Sequence, residues 1–125
     1  MAQRICRFRQ MIPRADSSRL KLLRIGDETS LPHVSLAGDT YTITISRENT
    51  AGRFSVIDMH IPPNGGPVRT GTTFEEIFIV LEGEVGITIR RDRRVVRAGD
   101  TVHIPANAPH QFHNGSGAPA RLLCI

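Results

Sequence analysis

The chain has 125 residues and a mass of 13.8 kDa. That is one domain, too short for two typical domains, for a (β/α)₈ barrel of about 250 residues or for a full dinucleotide-binding fold. Hydrophobic residues are 39% and charged residues 22% of the chain, a globular composition with no apolar run near the roughly 20 residues of a membrane span. The formal charge of +4 is concentrated at one end. Residues 1–24 hold seven basic groups and one acid, so the remainder is net acidic at −2. A basic pI therefore describes an arm, and no recognition helix or aromatic-interleaved basic patch points to specific nucleic-acid binding.

Residues 1–30 are expected to form this basic arm, partly packed through Leu20, Leu22 and Leu23, with Arg19–Ile25 either a helical turn or an edge strand. Residues 31–125 are expected to form a barrel. Thr40–Ser46 alternates β-branched residues around Tyr41 and stops at the polar turn Glu48-Asn49-Thr50-Ala51-Gly52. Phe54–Ile61 is the next strand, ended by Pro62-Pro63-Asn64-Gly65-Gly66-Pro67. Ile77–Leu81 closes at Glu82-Gly83. Val85–Arg90 leads to a hairpin tip at Arg91-Asp92-Arg93, with the arginine-rich tip facing water. Val95-Val96, Thr101–Ile104, His110–His113 and Ala118–Ile125 complete the series. No stretch after residue 30 carries a helical stripe over ten or more positions, so the fold class is all-β, an antiparallel sandwich or barrel.

Cys6 and Cys124 have no metal-ligand spacing and read as free thiols in a reducing, cytoplasmic compartment. No phosphate loop, dinucleotide fingerprint, HExxH or GxSxG elbow is present.

The segment from Gly99 to Asn114, GDTVHIPANAPHQFHN, resembles the second motif of the cupin superfamily. It matches at Gly99, Pro105, His110 and Asn114, and departs at Asn107, where the family has glycine. Asparagine tolerates positive φ, so the turn is expected to survive. Glu76 and Gly83, bracketing EIFIVLEG, match the first motif. Counting back from Glu76 puts the family's two histidine positions at Thr70 and Thr72; a register one residue longer would use Arg69 and Gly71. Neither register contains a histidine. The resemblance spans about residues 36–124 and implies a jelly-roll β-barrel, commonly dimeric, whose inner pocket in typical members holds a transition ion through three histidines and a glutamate.

Under that resemblance Glu76 and His110 are the two surviving donors. No resident cofactor is expected; the alternative is weakly held Fe, Mn, Zn, Ni or Cu on Glu76 and His110, with His60 as a substitute ligand. Period-two geometry sets Glu76 on one face with Phe78 and Val80. An inward carboxylate must be paired, hydrated or protonated, and His110 is its candidate partner for acid–base work. Arg69, Thr70, Thr72, Phe78 and Phe112 are the candidate ligand-binding residues, Arg69 as a bidentate clamp for a carboxylate. The expected function is small-molecule binding, with a carboxylate-bearing molecule as the candidate ligand, by a cupin with an impaired or empty metal site, assembled as a homodimer and acting away from membranes. Two other classes stand beside it: an enzyme, either a metal-independent isomerase or lyase or a dioxygenase with noncanonical ligands, and a structural or regulatory dimerisation module.

Overall fold

Short β-branched runs between Gly and Pro turns build nine strands among the described residues of this computed structural model, which are 20–24, 30–36, 38–66 and 71–125. They are β1 His33–Leu36, β2 Asp39–Ile45, β3 Val56–Ile61, β4 Glu76–Glu82, β5 Glu84–Ile89, β6 Asp92–Arg97, β7 Thr101–Ile104, β8 His110–His113 and β9 Ala120–Cys124. All pairings are antiparallel. One sheet has six strands in the order β1-β2-β3-β9-β4-β7, and the other has three in the order β6-β5-β8. The fold is all-β with two antiparallel sheets, as the alternating runs and the expected jelly roll require. No helix among the described residues is long and apolar enough to cross a membrane.

The core lies between the inner faces. Met59 and Ile61 of β3, Phe78 and Val80 of β4 and Leu122 of β9 meet Val85 and Ile87 of β5 and Phe112 of β8. Burial of such side chains supplies the main favourable term in folding. The outer positions of β3 carry Asp58 and His60, as alternation requires.

Local expectations differ from the structure in two places. Residues 20–24 form neither a helical turn nor a strand, and Leu20 and Leu22 are exposed while Leu23 is half-buried. This stretch enters no ladder; its Lys21 Nζ donates to Asn49 Oδ1 at 3.1 Å. The Arg-rich hairpin also turns one residue earlier than expected. Ile89 pairs with Asp92, leaving Arg90 and Arg91 as the turn, with Arg90 at φ 55°. Arg94 then pairs with Asp92 at 3.1 Å on the exposed strand.

The loop after β3 is fixed by Asp39, which is fully buried. Its carboxylate accepts from Tyr41 Oη at 2.7 Å and from the Gly66 amide at 3.2 Å. Burial and the neighbouring Asp39 carboxylate both push the Tyr41 phenol up from its ordinary value. Gly66 has φ 135°, and a Cβ there would collide with the Phe112 carbonyl oxygen. Gly66→Ala is therefore expected to cost about 2 kcal/mol and to push against β8. Urea unfolding measures it; an unchanged midpoint would show that this approach can relax.

Candidate functional site

Glu76 opens β4 of the larger sheet and His110 opens β8 of the smaller one, so the two motif residues meet from opposing sheets. His110 Nε2 lies 3.3 Å from Glu76 Oε2, with the histidine side chain 2% and the glutamate 14% exposed. Phe78 and Phe112 pack on the imidazole, their ring centroids 6.0 Å and 5.6 Å from it in edge-to-face arrangements. These two phenylalanines, expected to touch ligand, wall in His110 from within the core.

The proton arrangement follows from the partners. His110 Nδ1 is 3.0 Å from the Ala108 carbonyl. A carbonyl oxygen only accepts, so Nδ1 carries the proton in that bond. Nε2 then lies 3.3 Å from Glu76 Oε2, at ion-pair distance but without the alignment of a hydrogen bond. The geometry thus fixes the Nδ1–H of the imidazole and sets Nε2 beside the carboxylate.

Thr72 completes this end of the site. Its Oγ1 lies 3.2 Å from Glu76 Oε2 and 2.9 Å from the Phe74 carbonyl, and its single hydroxyl proton serves one acceptor at a time. The contact supports the register that aligns Thr72 with a family histidine. A Cβ on Gly71 would instead lie nearest Pro109. The Thr72 carbonyl accepts from the Asn107 amide at 2.8 Å, and Asn107 sits at φ 61°. Asparagine therefore adopts the left-handed turn that the motif asks of glycine.

Cys124 of β9 approaches the other carboxylate oxygen, with Sγ 4.0 Å from Glu76 Oε1. Burial first, and the Glu76 charge second, push its thiol up to about 12 from 9.0. Folding thus favours the protonated thiol. That contribution is complete below the unfolded value near 9.0 and is lost as pH rises toward about 12. In a Cys6→Ser background, iodoacetamide is expected to label native Cys124 very slowly at pH 8.5 and rapidly in urea. Equal rates in the two states would show an exposed, ionising thiol.

Beside Glu76 and Cys124 an open cavity of about 370 Å³ is lined by Phe54, Ile57 and Phe74, with Arg47 and Arg53 among its other residues. Its size lies in the range of small-molecule sites. Of the residues expected at the site, Glu76, His110 and Thr72 come together. Arg69 and Thr70 lie outside the described residues. His60 is not brought there: strand alternation turns it away from Met59 and Ile61, and its Nε2 lies 3.6 Å from Asp58 Oδ1. Asp58 is held in turn by Arg121 Nε at 3.0 Å. Cys124 was not expected because β9 inserts between β3 and β4, a pairing that chain order does not display.

The donor set does not fit the three-histidine, one-glutamate ion centre implied by the resemblance. Among the described residues, no group of three or more His, Cys, Asp or Glu side chains converges to hold a metal ion. Thr72 offers a neutral hydroxyl where an imidazole would stand, and His110 Nε2 is directed at Glu76.

A sequence profile of the cupin domain matches residues 57–125. An uncharacterized protein of Methanocaldococcus jannaschii is 38% identical over 52 residues, which is 42% of this chain and 42% of that protein, so the match spans less than half the relative's length. The polyketide cyclase RemF from Streptomyces resistomycificus superposes with a TM-score of 0.72 at 24% identity, over 85% of this chain and 78% of that one. A predicted oxalate decarboxylase from Thermotoga maritima gives a TM-score of 0.73 at 16% identity, over 83% of this chain and 96% of that one. At these identities the structural likeness establishes the fold, and differing activities on one fold leave the site to decide function.

Proposed function

The chain belongs to the cupin domain family, and from that membership we propose that it binds a small organic molecule at the Glu76–His110 pair, without a fully liganded transition ion. The observation that carries this reading is the cavity of about 370 Å³ beside Glu76, with buried His110 3.3 Å behind the carboxylate. Apolar walls supply affinity, and one polar pole supplies orientation. Phe78, Phe112 and the Ala108 carbonyl hold the imidazole in place.

A nitrogen-15 NMR titration with a set of one-ring phenols, amides and carboxylates tests the reading. Fragments that bind are expected to shift amides at residues 54–57, 74–77 and 124, and His110→Ala is expected to weaken them. Shifts confined to other surfaces would overturn it.

The Nε2–Oε2 contact also favours a second reading, proton transfer on the bound molecule in an isomerase- or lyase-like reaction. Glu76 and His110 would act as acid and base, because a carboxylate and an imidazole lie 3.3 Å apart beside an open cavity. Turnover of a bound carbonyl compound that ceases in Glu76→Gln would support this reading over binding alone.

The proposal includes a carboxylate on the ligand, a cytoplasmic homodimer and the division into an arm over residues 1–30 and a barrel over 31–125. The half-exposed outer side chains Ile77 and Leu81 of β4 and the edge strand β1 support self-association. The free thiol of Cys124 suits a reducing compartment. Sedimentation is expected to show a dimer at tens of micromolar, and a clean monomer would remove that part of the proposal.

A further inference from the structure

We propose that the cavity takes an amphiphilic monocarboxylate in one orientation, its head between Arg47 and Arg53, its apolar body along Phe54, Ile57 and Phe74, and a hydrogen-bond-donating group at Glu76. This rests on the reading of the cavity as a small-molecule site. Both arginines and the three apolar side chains line it together with Glu76.

The two arginines are built into the loop between β2 and β3. Arg53 Nε donates to the Thr50 carbonyl at 2.9 Å, and Arg47 Nη2 donates to the Gly52 carbonyl at 3.4 Å. The loop itself is tied by the Gly52 amide to the Arg47 carbonyl at 2.7 Å and by Thr50 Oγ1 to the Phe54 carbonyl at 2.6 Å. Thr50 is buried beneath it. Each guanidinium has five N–H donors and uses one in these bonds. Among the described residues neither is paired with a carboxylate, whereas Arg94, Arg97 and Arg121 each are. Two exposed cations, each anchored by one backbone hydrogen bond beside apolar walls, suit a planar carboxylate, which a guanidinium matches in a forked geometry.

The acids of the cavity set the direction. Glu75 is exposed, and its carboxylate contacts His103 Nε2 at 3.2 Å. Glu76 lies on the core side, joined to His110. An anionic head placed there would meet a like charge, so the carboxylate goes to the arginines and a hydroxyl or N–H goes to Glu76. A dicarboxylate would put its second charge against Glu76 and is disfavoured.

Calorimetric titration of the full chain with 4-hydroxyphenylacetate, with 4-hydroxyphenethyl alcohol and with phenylacetate tests the orientation. The first probe has both polar ends, the second lacks the carboxylate and the third lacks the hydroxyl. The first is expected to bind about tenfold more tightly than either of the others. In Arg47→Gln/Arg53→Gln the advantage over the alcohol is expected to fall to near onefold, while the advantage over phenylacetate remains. Equal binding of acid and alcohol by the wild type, or an advantage that survives in the double variant, overturns the proposal. If the alcohol binds in a Glu76-dependent way and the acid gains nothing, the ligand class alone fails. If no probe binds, the small-molecule reading of the cavity fails with it.

Discussion

Thr70→His/Thr72→His protein is expected to bind Mn(II), Co(II) or Zn(II) at least about 100-fold more tightly than wild type. Loss of a single outer-shell partner already changes metal affinity by 10- to 100-fold in known sites, and two inner imidazoles contribute more. Thr72 is the informed half of this pair, because its Oγ1 reaches to 3.2 Å from Glu76 Oε2. An imidazole in its place projects toward the same carboxylate and His110. The swap also removes the Thr72 hydroxyl, and since imidazole and carboxylate hold an ion only in their deprotonated forms, metal uptake is expected to release protons. Arg69→His/Gly71→His is expected to gain little, since a side chain on Gly71 starts against Pro109. A larger gain for this second variant would transfer the site to the longer register.

Asn114→Ala is expected to lower stability by about 3 kcal/mol, measured by urea unfolding. Asn114 is fully buried, and each of its amide valences is used. Nδ2 donates to the Ile61 carbonyl at 3.1 Å and to the Ala118 carbonyl at 2.8 Å. Oδ1 accepts from the Ser116 amide at 3.0 Å and from Ser116 Oγ at 2.7 Å. One side chain therefore ties the end of β3 to the approach of β9. Alanine leaves buried backbone groups without these partners as well as a cavity. Asn114→Asp keeps the shape but turns a donor into an acceptor facing two carbonyls, and it is expected to be comparably damaging. A loss below about 1 kcal/mol for both variants would show that water replaces the amide at little cost.

The turns and the second motif made most of the fold legible. Gly and Pro clusters mark breaks that local chemistry enforces, and His110, Asn107 and Asn114 occupy the positions their spacing implies. Alternation alone separated Glu76, Phe78 and Val80 from the outer face and set His60 apart from Met59 and Ile61. The rest depends on non-local pairing. Ile57 meets Cys124, and Cys124 meets Phe78, because β9 lies between β3 and β4. That placement brings a thiol to Glu76 from 48 residues away. Arg47 and Arg53 stood at the ends of a polar turn with no local sign of a cavity; they line it because the loop between β2 and β3 folds beside Phe74 and Glu76. Phe78 and Phe112 stand on the expected inner face, where their rings pack on each other and on the imidazole.

The most direct measurement is the nitrogen-15 spectrum of the His110 imidazole in dialysed, chelator-treated wild-type protein during titration with 4-hydroxyphenethyl alcohol. Nδ1 donates to the Ala108 carbonyl, and Nε2 lies 3.3 Å from Glu76 Oε2. The expected result is a saturable change at Nε2, little change at Nδ1, and loss of the response in Glu76→Gln. A response at Nε2 that arises only after a transition ion is added, with stoichiometric submicromolar metal binding by the wild type, would contradict the account.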